Sequence, residues 1–172
     1  MITSRLGQGD DRREQFIYLA DQSELLPILA DWFFDEWGLH DPESSREHMR
    51  TELGDFLYHD RLPLTIVLLR DSEPIASASL KIKEMETHPQ YLHWLGGVYV
   101  HPDNRGQGVG SRLVEYTAQE AIRFNVTDLF LYTHSHEKFY ARLGWRVIEE
   151  PIYKGRVVSI MKRKLTIATL KE

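Results

Sequence analysis

The chain contains no cysteine. Disulfide scaffolds, zinc sites built on thiolates and cysteine nucleophiles all require that residue, so the composition excludes all three. The apolar runs are far shorter than the roughly 20 residues that cross a bilayer, and residues 1–15 lack an apolar signal core. We therefore expect a cytoplasmic protein with no membrane-spanning segment.

The excess of negative charge is small, with a formal net charge of −5, which argues against a nucleic-acid partner. Its distribution is uneven. Residues 1–100 contain 9 Lys+Arg and 18 Asp+Glu, whereas residues 101–172 contain 12 and 8. This bias is that of an ordinary solvated surface, or it marks an anion-binding C-terminal half and a cation-binding N-terminal half.

The hydrophobic pattern predicts one α/β domain over residues 1–172, in the order β-α-α-β-β-β-α-β-α-β-β. The predicted strands are 14–20, 64–70, 75–82, 91–100, 128–134, 145–150 and 156–165. The predicted helices are 21–38, one within 42–58, 108–124 and 136–144. We expect Asp21 and Glu24 to form a capping box for the first helix and Gly38 to end it.

Three alternate glycines, Gly106, Gly108 and Gly110, precede the helix predicted at 108–124. A dinucleotide-binding fingerprint needs its third glycine at Ser111, and a P-loop needs a lysine that is absent here. Free N–H groups at a helix start, with Arg105 and Arg112 nearby, would bind an anion such as a pyrophosphate. A glycine-rich turn without a ligand is the alternative.

Gly96 and Gly97 lie inside an apolar strand. Glycine at such a position indicates a bulge or a close approach by a ligand. A bulge would splay this strand from strand 128–134 and leave backbone groups that an extended amide could pair with. A pyrophosphate joined to an amide-bearing arm describes coenzyme A.

Two motifs resemble those of the GNAT N-acetyltransferases: "RGQGVG" at 105–110 and "FYARLGW" at 139–145. The resemblance is strong over 64–165 and weaker over 1–60. It implies a GNAT-type fold, a mixed and mostly antiparallel sheet with a splayed central strand pair and helices on both faces. It also implies an acetyl-CoA-dependent acyltransferase.

The resemblance further implies where acetyl-CoA would bind. The backbone of Val98, Tyr99 and Val100 would bond the pantetheine arm, and Tyr140 would lie near the thioester sulfur, with Phe139 beside it. The pyrophosphate would lie on the loop formed by Arg105, Gly106, Gln107, Gly108, Val109, Gly110 and Ser111.

Acetyl transfer to an amine needs a neutral nucleophile, a stabilised oxyanion and a protonated leaving thiolate. An alkylamine has a pKa near ~10, so a base or a desolvated site must remove its proton. Free N–H groups near Val98 would bond the thioester oxygen, and the Tyr140 hydroxyl would protonate the sulfur. Tyr140 is alternatively a core aromatic, although Phe139 and Leu143 have the spacing of the packing pair.

The general base has several candidates. The resemblance points to Trp94 for this role, and an indole cannot act as a base. Glu84 and Glu86, at the end of the preceding strand and alternating with Met85, are our predicted catalytic carboxylates. The other candidates are His93, His134 and His136. Each of these five side chains is alternatively a solvated charge or a structural polar group, and no metal is predicted because the two neighbouring histidines lack a third ligand.

The first helix is expected to line the acceptor side. Its aromatic residues are Trp32, Phe33 and Trp37, and its acidic residues are Asp31, Asp35 and Glu36. The acids suit a cationic amine: a polyamine, an aminoglycoside, a peptide N-terminus or a lysine.

We predict an acetyl-CoA-dependent N-acetyltransferase that works by direct transfer in a ternary complex. The alternative is a non-catalytic acetyl-CoA-binding sensor or regulatory module, and a homodimer is compatible with either. A nucleotide-binding oxidoreductase is disfavoured by Ser111 and by the lack of a second βαβ half.

Overall fold

A computed structural model of the chain describes residues 13–166. Its main strands are β1 (Glu14–Tyr18), β2 (Leu64–Arg70), β3 (Glu73–Ile82), β4 (His93–Val100), β5 (Asp128–Thr133), β6 (Arg146–Glu149) and β9 (Ser159–Lys164). A small hairpin consists of β7 (Ile152–Tyr153) and β8 (Arg156–Val157). The helices are α1 (Leu26–Glu36), α2 (Arg46–Gly54), α3 (Val109–Arg123) and α4 (Glu137–Arg142), with 3₁₀ turns at Leu19–Leu25, Gly38–His40 and Pro102–Asn104.

The seven main strands form one sheet in the order β1-β2-β3-β4-β5-β9-β6. Every neighbouring pair is antiparallel except β4 and β5, which are parallel. The strand β2 is buried along its whole length, because helices cover both faces at that position. The predicted mixed, mostly antiparallel α/β fold is thus confirmed.

The side chains of β2 alternate between the two faces, as strand geometry requires. Ile66 and Leu68 pack with residues of α3 and α4, whereas Val67 and Leu69 pack with residues of α1 and α2. The sheet therefore has an α3–α4 face and an α1–α2 face. A third cluster, around the fully buried Trp94, includes Phe130 and Ile160.

The predicted bulge is present in β4. Ser77 pairs with Tyr99 and Ser79 pairs with Gly96, so β4 carries one residue more than β3 between these pairs. Gly97 has a φ of +56°, a conformation that glycine adopts without strain. Toward β5, β4 pairs only through Trp94 and Phe130, so the two strands separate beyond this point, as predicted.

The start of the first helix differs from the expectation. Residues 19–25 form 3₁₀ turns with a kink at Gln22, and α1 begins at Leu26 with no side-chain cap. Asp21 and Glu24 therefore do not cap it. The predicted capping box fails because Pro27, at the first helical turn, starts the helix later.

Gly38 follows α1, as expected, but not as a left-handed stop. A Cβ there would lie 2.5 Å from Cδ2 of Phe34. The close packing of the following 3₁₀ turn against α1 is therefore what requires glycine at this position.

The C-terminal segment 156–165 is two strands, not one. Arg156 and Val157 turn back onto β7, and β9 begins only at Ser159. The N-terminal segment 1–12, part of the predicted single domain, lies outside the described residues, as does 167–172. Within residues 13–166, no helix has the length and apolar character needed to cross a membrane.

Candidate active site

The three alternate glycines are required for two different reasons. Gly106 and Gly108 have φ values of +73° and +75°, so they form the turn that leads into α3. A Cβ on Gly106 would meet no atom of the described chain within 4 Å, which leaves the space in front of the loop open. Gly110 has ordinary helical geometry, but a Cβ there would lie 3.3 Å from Cζ of Phe139. Gly110 therefore allows α3 to approach α4.

The first backbone N–H groups of α3 follow directly after this open turn. Gly108 caps the helix without a side-chain bond, and the N–H groups of a first turn have no partner within their helix. Val109 is buried in the α3–α4 core, so it offers only its backbone to a ligand. Gln107 is exposed and Ser111 is half-buried. An anion fits this loop, because the open space, the free donors and the helix dipole coincide.

The two arginines beside the loop have partners of their own. Arg105 donates from Nε to the carbonyl oxygen of Val100 at 2.8 Å, and its guanidinium lies 5.5 Å from the ring centre of Tyr99. Arg112 donates to both carboxylate oxygens of Glu14, at 2.9 and 3.0 Å. Glu14 therefore balances the charge of Arg112, and Arg105, whose guanidinium lies 3.5 Å from Glu36, still places a positive charge beside the loop.

The buried Arg70 links strand β1 to the loop. Its guanidinium forms a 2.6 Å ion pair with Glu14 and donates to the side-chain oxygen of Gln107 at 3.2 Å. The hydrogen bonds and ion pairs to Arg70 and Arg112 hold the pKa of Glu14 below its usual value, against the opposing effect of burial. These hydrogen bonds and ion pairs attach the glycine loop to strands β1 and β2.

Strand β4 has an unpaired edge toward β5, where we expect the pantetheine arm to bond. Beyond Trp94, no ladder pair joins β4 to β5 in the described part of the chain. Val98 packs against the α3–α4 core, and Tyr99 is buried on the α1–α2 face. The carbonyl of Val100 is already bonded to Arg105, so the free groups lie nearer the bulge.

Tyr140 is the most buried residue of α4, with 9% of its surface exposed. Phe139 and Leu143 both pack against the core but are only partly buried, so Tyr140 does not turn away from the packing as their spacing indicated. The 3.3 Å distance to the Gly110 position shows that Phe139 packs on α3. No hydrogen bond within residues 13–166 uses the Tyr140 hydroxyl. Burial raises its pKa to about 12, so it stays protonated at neutral pH.

A cleft of about 780 Å³ lies on the α1–α2 face, at the end of β3. It is bounded by α2, by residues 81–86, by Tyr132 of β5 and by the β7–β8 hairpin. Four carboxylates line it: Glu52, Asp55, Glu84 and Glu86. Three lysines line it too: Lys81, Lys83 and Lys154.

Both predicted catalytic carboxylates line this cleft, although they do not lie on a strand. Strand β3 ends at Ile82, and Lys83 turns the chain with a φ of +54°. Glu84 is half-buried, and its carboxylate oxygen Oε2 lies 3.1 Å from the ammonium nitrogen of Lys81. Glu86 is exposed. The structure thus favours Glu84 over Glu86 as a group with a fixed position.

Lys81 holds Glu84 next to the bulge. Its ammonium also lies 3.7 Å from Glu52 of α2. A Cβ on Gly96 would lie 3.1 Å from Cε of Lys81. The absence of a side chain at Gly96 therefore leaves room for the lysine stem across β4.

The acidic residues of α1 do not line the cleft. Asp31 and Asp35 accept hydrogen bonds from Arg46 of α2 at 3.2 and 2.6 Å, and Glu36 lies 3.5 Å from Arg105. The three carboxylates thus have cationic partners within the chain, and their suitability for a cationic acceptor stays a prediction. Trp32 stacks on Tyr99, with 5.1 Å between ring centres, while Phe33 is buried and Trp37 is partly exposed.

The other positions considered for the base do not line the cleft. Trp94 is fully buried and donates from its indole N–H to the carbonyl oxygen of Tyr91. Burial lowers the pKa of His93, which pairs with Ile82 at the far end of β4. His134 and His136 are exposed. Residues 13–166 contain no group of three side chains suited to hold a metal ion.

Sequence reasoning missed Glu52, Asp55 and Tyr132. The two acids lie three residues apart at the C-terminal end of α2, the spacing of one helix face. Tyr132 is the one hydroxyl-bearing aromatic in the apolar strand β5. Both signals are present in the sequence, but each is common on ordinary surfaces.

The fold has many relatives among solved structures. An aminoglycoside 6'-N-acetyltransferase complexed with coenzyme A is 15% identical, with a TM-score of 0.67 over 87% of this chain and 96% of that chain. An acetyltransferase from Thermus thermophilus is 19% identical, with a TM-score of 0.63 over 88% and 97%. A GNAT-family acetyltransferase from Streptococcus pneumoniae is 13% identical, with a TM-score of 0.65 over 90% and 100%. At these identities the likeness defines the class of fold, that of acetyltransferases.

The sequence model of the acetyltransferase (GNAT) family matches residues 24–145. This range includes the bulged strand, the glycine loop and the second motif through Trp145. The chain therefore belongs to the GNAT acetyltransferase family, and the predicted resemblance is confirmed.

Proposed function

We propose that the protein is an acetyl-CoA-dependent N-acetyltransferase whose acceptor is a primary amine. The observation that carries this proposal is the separation of β4 from β5 beyond their single pair. On one face of this opening lie the glycine loop and Tyr140. On the other face lies the acidic cleft with Glu84. A donor and an acceptor can thus meet through the sheet.

The donor side suits acetyl-CoA, which supplies the thioester when bound. Backbone N–H groups of the loop from Gly108 to Ser111 would bind its pyrophosphate. Unpaired groups of β4 near Val98 would bond the amide arm and the thioester oxygen. The neutral Tyr140 hydroxyl would donate a proton to the departing sulfur.

The acceptor side suits a positively charged amine. The amine loses one proton, and Glu84, directly or through water, is the group we assign to receive it. The amine nitrogen then bonds the acetyl carbon as the carbon–sulfur bond breaks, and the sulfur takes the proton of Tyr140. The nitrogen loses its second proton, which restores the Tyr140 hydroxyl through water. The net products are the amide, free coenzyme A and one proton. Glu86, exposed at the rim, is the second candidate base.

Thiol release from acetyl-CoA, measured over a panel of amines, tests the proposal. The panel contains an alkylamine, a polyamine, an aminoglycoside and a lysine peptide. We expect release with at least one of them, with intersecting double-reciprocal lines, because direct transfer needs both substrates bound together. Parallel lines would indicate ping-pong turnover and contradict the ternary complex.

Glu84→Gln, compared with Glu86→Gln, then tests the assignment of the base. We expect the rate at neutral pH to fall about 10²–10⁴-fold in the first variant only. A sensor is the second candidate function, favoured by the indole of Trp94 where a base is expected. Tight acetyl-CoA binding without thiol release from any amine would support the sensor over the enzyme.

A further inference from the structure

Tyr132 lies at the point on strand β5 where this strand separates from β4. It follows Phe130, the residue through which β5 pairs with Trp94 of β4, by two positions. Side chains two positions apart share a face of the sheet. Tyr132 is therefore the first residue on the α1–α2 face after the strands separate. Leu129 and Leu131 pack on the opposite face with the core that contains Tyr140.

Two aromatic rings hold the ring of Tyr132 in place. Trp94 contacts it edge-on, with 6.4 Å between ring centres, and Tyr153 of the β7–β8 hairpin does so at 5.3 Å. Trp94 is itself fully buried. These contacts hold the ring of Tyr132, a residue that lines the cleft, from two sides.

The hydroxyl of Tyr132 is free to bind a ligand as far as the described residues show. No hydrogen bond among residues 13–166 involves it, although the residue lines the cleft. Burial first, and then the negative charges of Glu84 and Glu52 with the nearby Tyr153, raise the pKa of Tyr132. A phenol in this setting stays neutral and can both donate and accept a hydrogen bond.

The cleft already binds ammonium groups of the chain itself. The ammonium of Lys81 lies 5.6 Å from the ring centre of Phe56, and that of Lys154 lies 5.5 Å from the ring centre of Tyr153. Cations over aromatic faces are attracted by the ring quadrupole. The lining of the cleft, aromatic and rich in carboxylates, is therefore compatible with a further alkylammonium, that of a substrate.

We propose that Tyr132 binds the acceptor amine at the opening between β4 and β5, accepting a hydrogen bond from its nitrogen while directing its own O–H toward Glu84. This inference rests on the proposed function and deepens it. The acceptor class is a primary alkylamine, because the cleft that contains Tyr132 is lined by the rings of Phe56 and Tyr153 as well as by carboxylates.

Tyr132→Phe tests the role of this hydroxyl in turnover. With the best amine of the panel, we expect the KM for the amine to rise about 10- to 100-fold, as for the loss of a hydrogen bond to a charged group. The kcat, the affinity for acetyl-CoA and the Tm should change little. Tyr91→Phe is the matched control, since it removes a hydroxyl bonded to Glu149 in the same aromatic cluster but outside the cleft lining. An unchanged amine KM in Tyr132→Phe, or an equal rise in the control, would overturn the proposal.

A second measurement does not depend on turnover. In tyrosine-labelled enzyme saturated with coenzyme A, n-butylamine should shift the Tyr132 NMR resonance, which is identified by its loss in Tyr132→Phe. A Tyr132 resonance that n-butylamine does not move would count against the amine contact. A shift without thiol release from any amine would contradict the transferase activity and still support the contact.

Discussion

At the scale of single residues, Tyr140 illustrates how burial sets a chemical role. The residue lies in the core, as expected if it were only a core aromatic. Its hydroxyl nevertheless has no hydrogen-bond partner in the described chain. Its pKa of about 12 keeps the proton on the oxygen. A buried, neutral and unpaired phenol is suited to donate to a leaving thiolate that forms beside it.

We expect Tyr140→Phe to lower kcat about 10²–10⁴-fold, the usual contribution of a positioned acid. Shape and packing are preserved, so the acetyl-CoA affinity and the Tm should stay near those of the wild type. The measurement is the rate at saturating acetyl-CoA. A kcat within about threefold of the wild type, well short of that range, would remove Tyr140 from the catalytic residues. Loss of acetyl-CoA binding would make it a positioning residue instead.

At the scale of elements, the connection from β4 to α3 combines a glycine turn with a helix start. Gly106 and Gly108 adopt positive φ, and the N–H groups that follow have no helical partner. Arg70 and Glu14 hold the loop from β1 and β2. The loop is therefore shaped before any ligand arrives, which reduces the entropy lost on binding.

Gly108→Glu should abolish acetyl-CoA binding, because it adds bulk and negative charge where the pyrophosphate would lie. Calorimetry with acetyl-CoA measures the effect. Gly155→Glu is the matched control: Gly155 has a φ of +77° and open space around it, but lies on the β7–β8 hairpin. Equal losses in both variants would trace the effect to backbone strain, and an unchanged affinity in Gly108→Glu would refute the proposed anion site.

At the scale of the whole molecule, tyrosines whose pKa the fold raises make stability depend on pH in the alkaline range. Burial raises the pKa of Tyr140 to about 12, and burial with the hydrogen bond to Glu120 raises the pKa of Tyr18 to about 12. The unfolded chain releases these protons near pH ~10. Above that pH the folded state binds more protons than the unfolded state, so the free energy of unfolding falls as pH rises.

We expect the wild type to lose stability between about pH 10 and pH 12, and Tyr140→Phe to lose less. The difference between the two should grow above about pH 10 by up to about 1.4 kcal/mol per pH unit. Urea unfolding at about pH 8, 10 and 11.5, on either side of the unfolded-state pKa, measures it. Parallel curves for the two proteins over this range would show that Tyr140 ionises as readily in the folded state as in the unfolded one.

The sequence by itself determined the features that depend on neighbouring residues. The bulge at Gly97, the turn at Gly106 and Gly108 and the order of the main strands and helices along the chain were all predicted. Each follows from local rules, namely the backbone freedom of glycine and the periodicity of apolar side chains. The two motifs sufficed for the family, because they carry that local geometry.

Only the tertiary structure decided what surrounds the opening. The cleft joins Glu52 of α2, Glu84 after β3 and Tyr132 of β5, which are distant in the chain and meet through packing. The same packing brings Arg105 to the Val100 carbonyl, and it pairs Asp31 and Asp35 of α1 with Arg46. Local patterns fix the backbone path, whereas the partner of a charged side chain depends on which elements pack together, and that is set by the whole core.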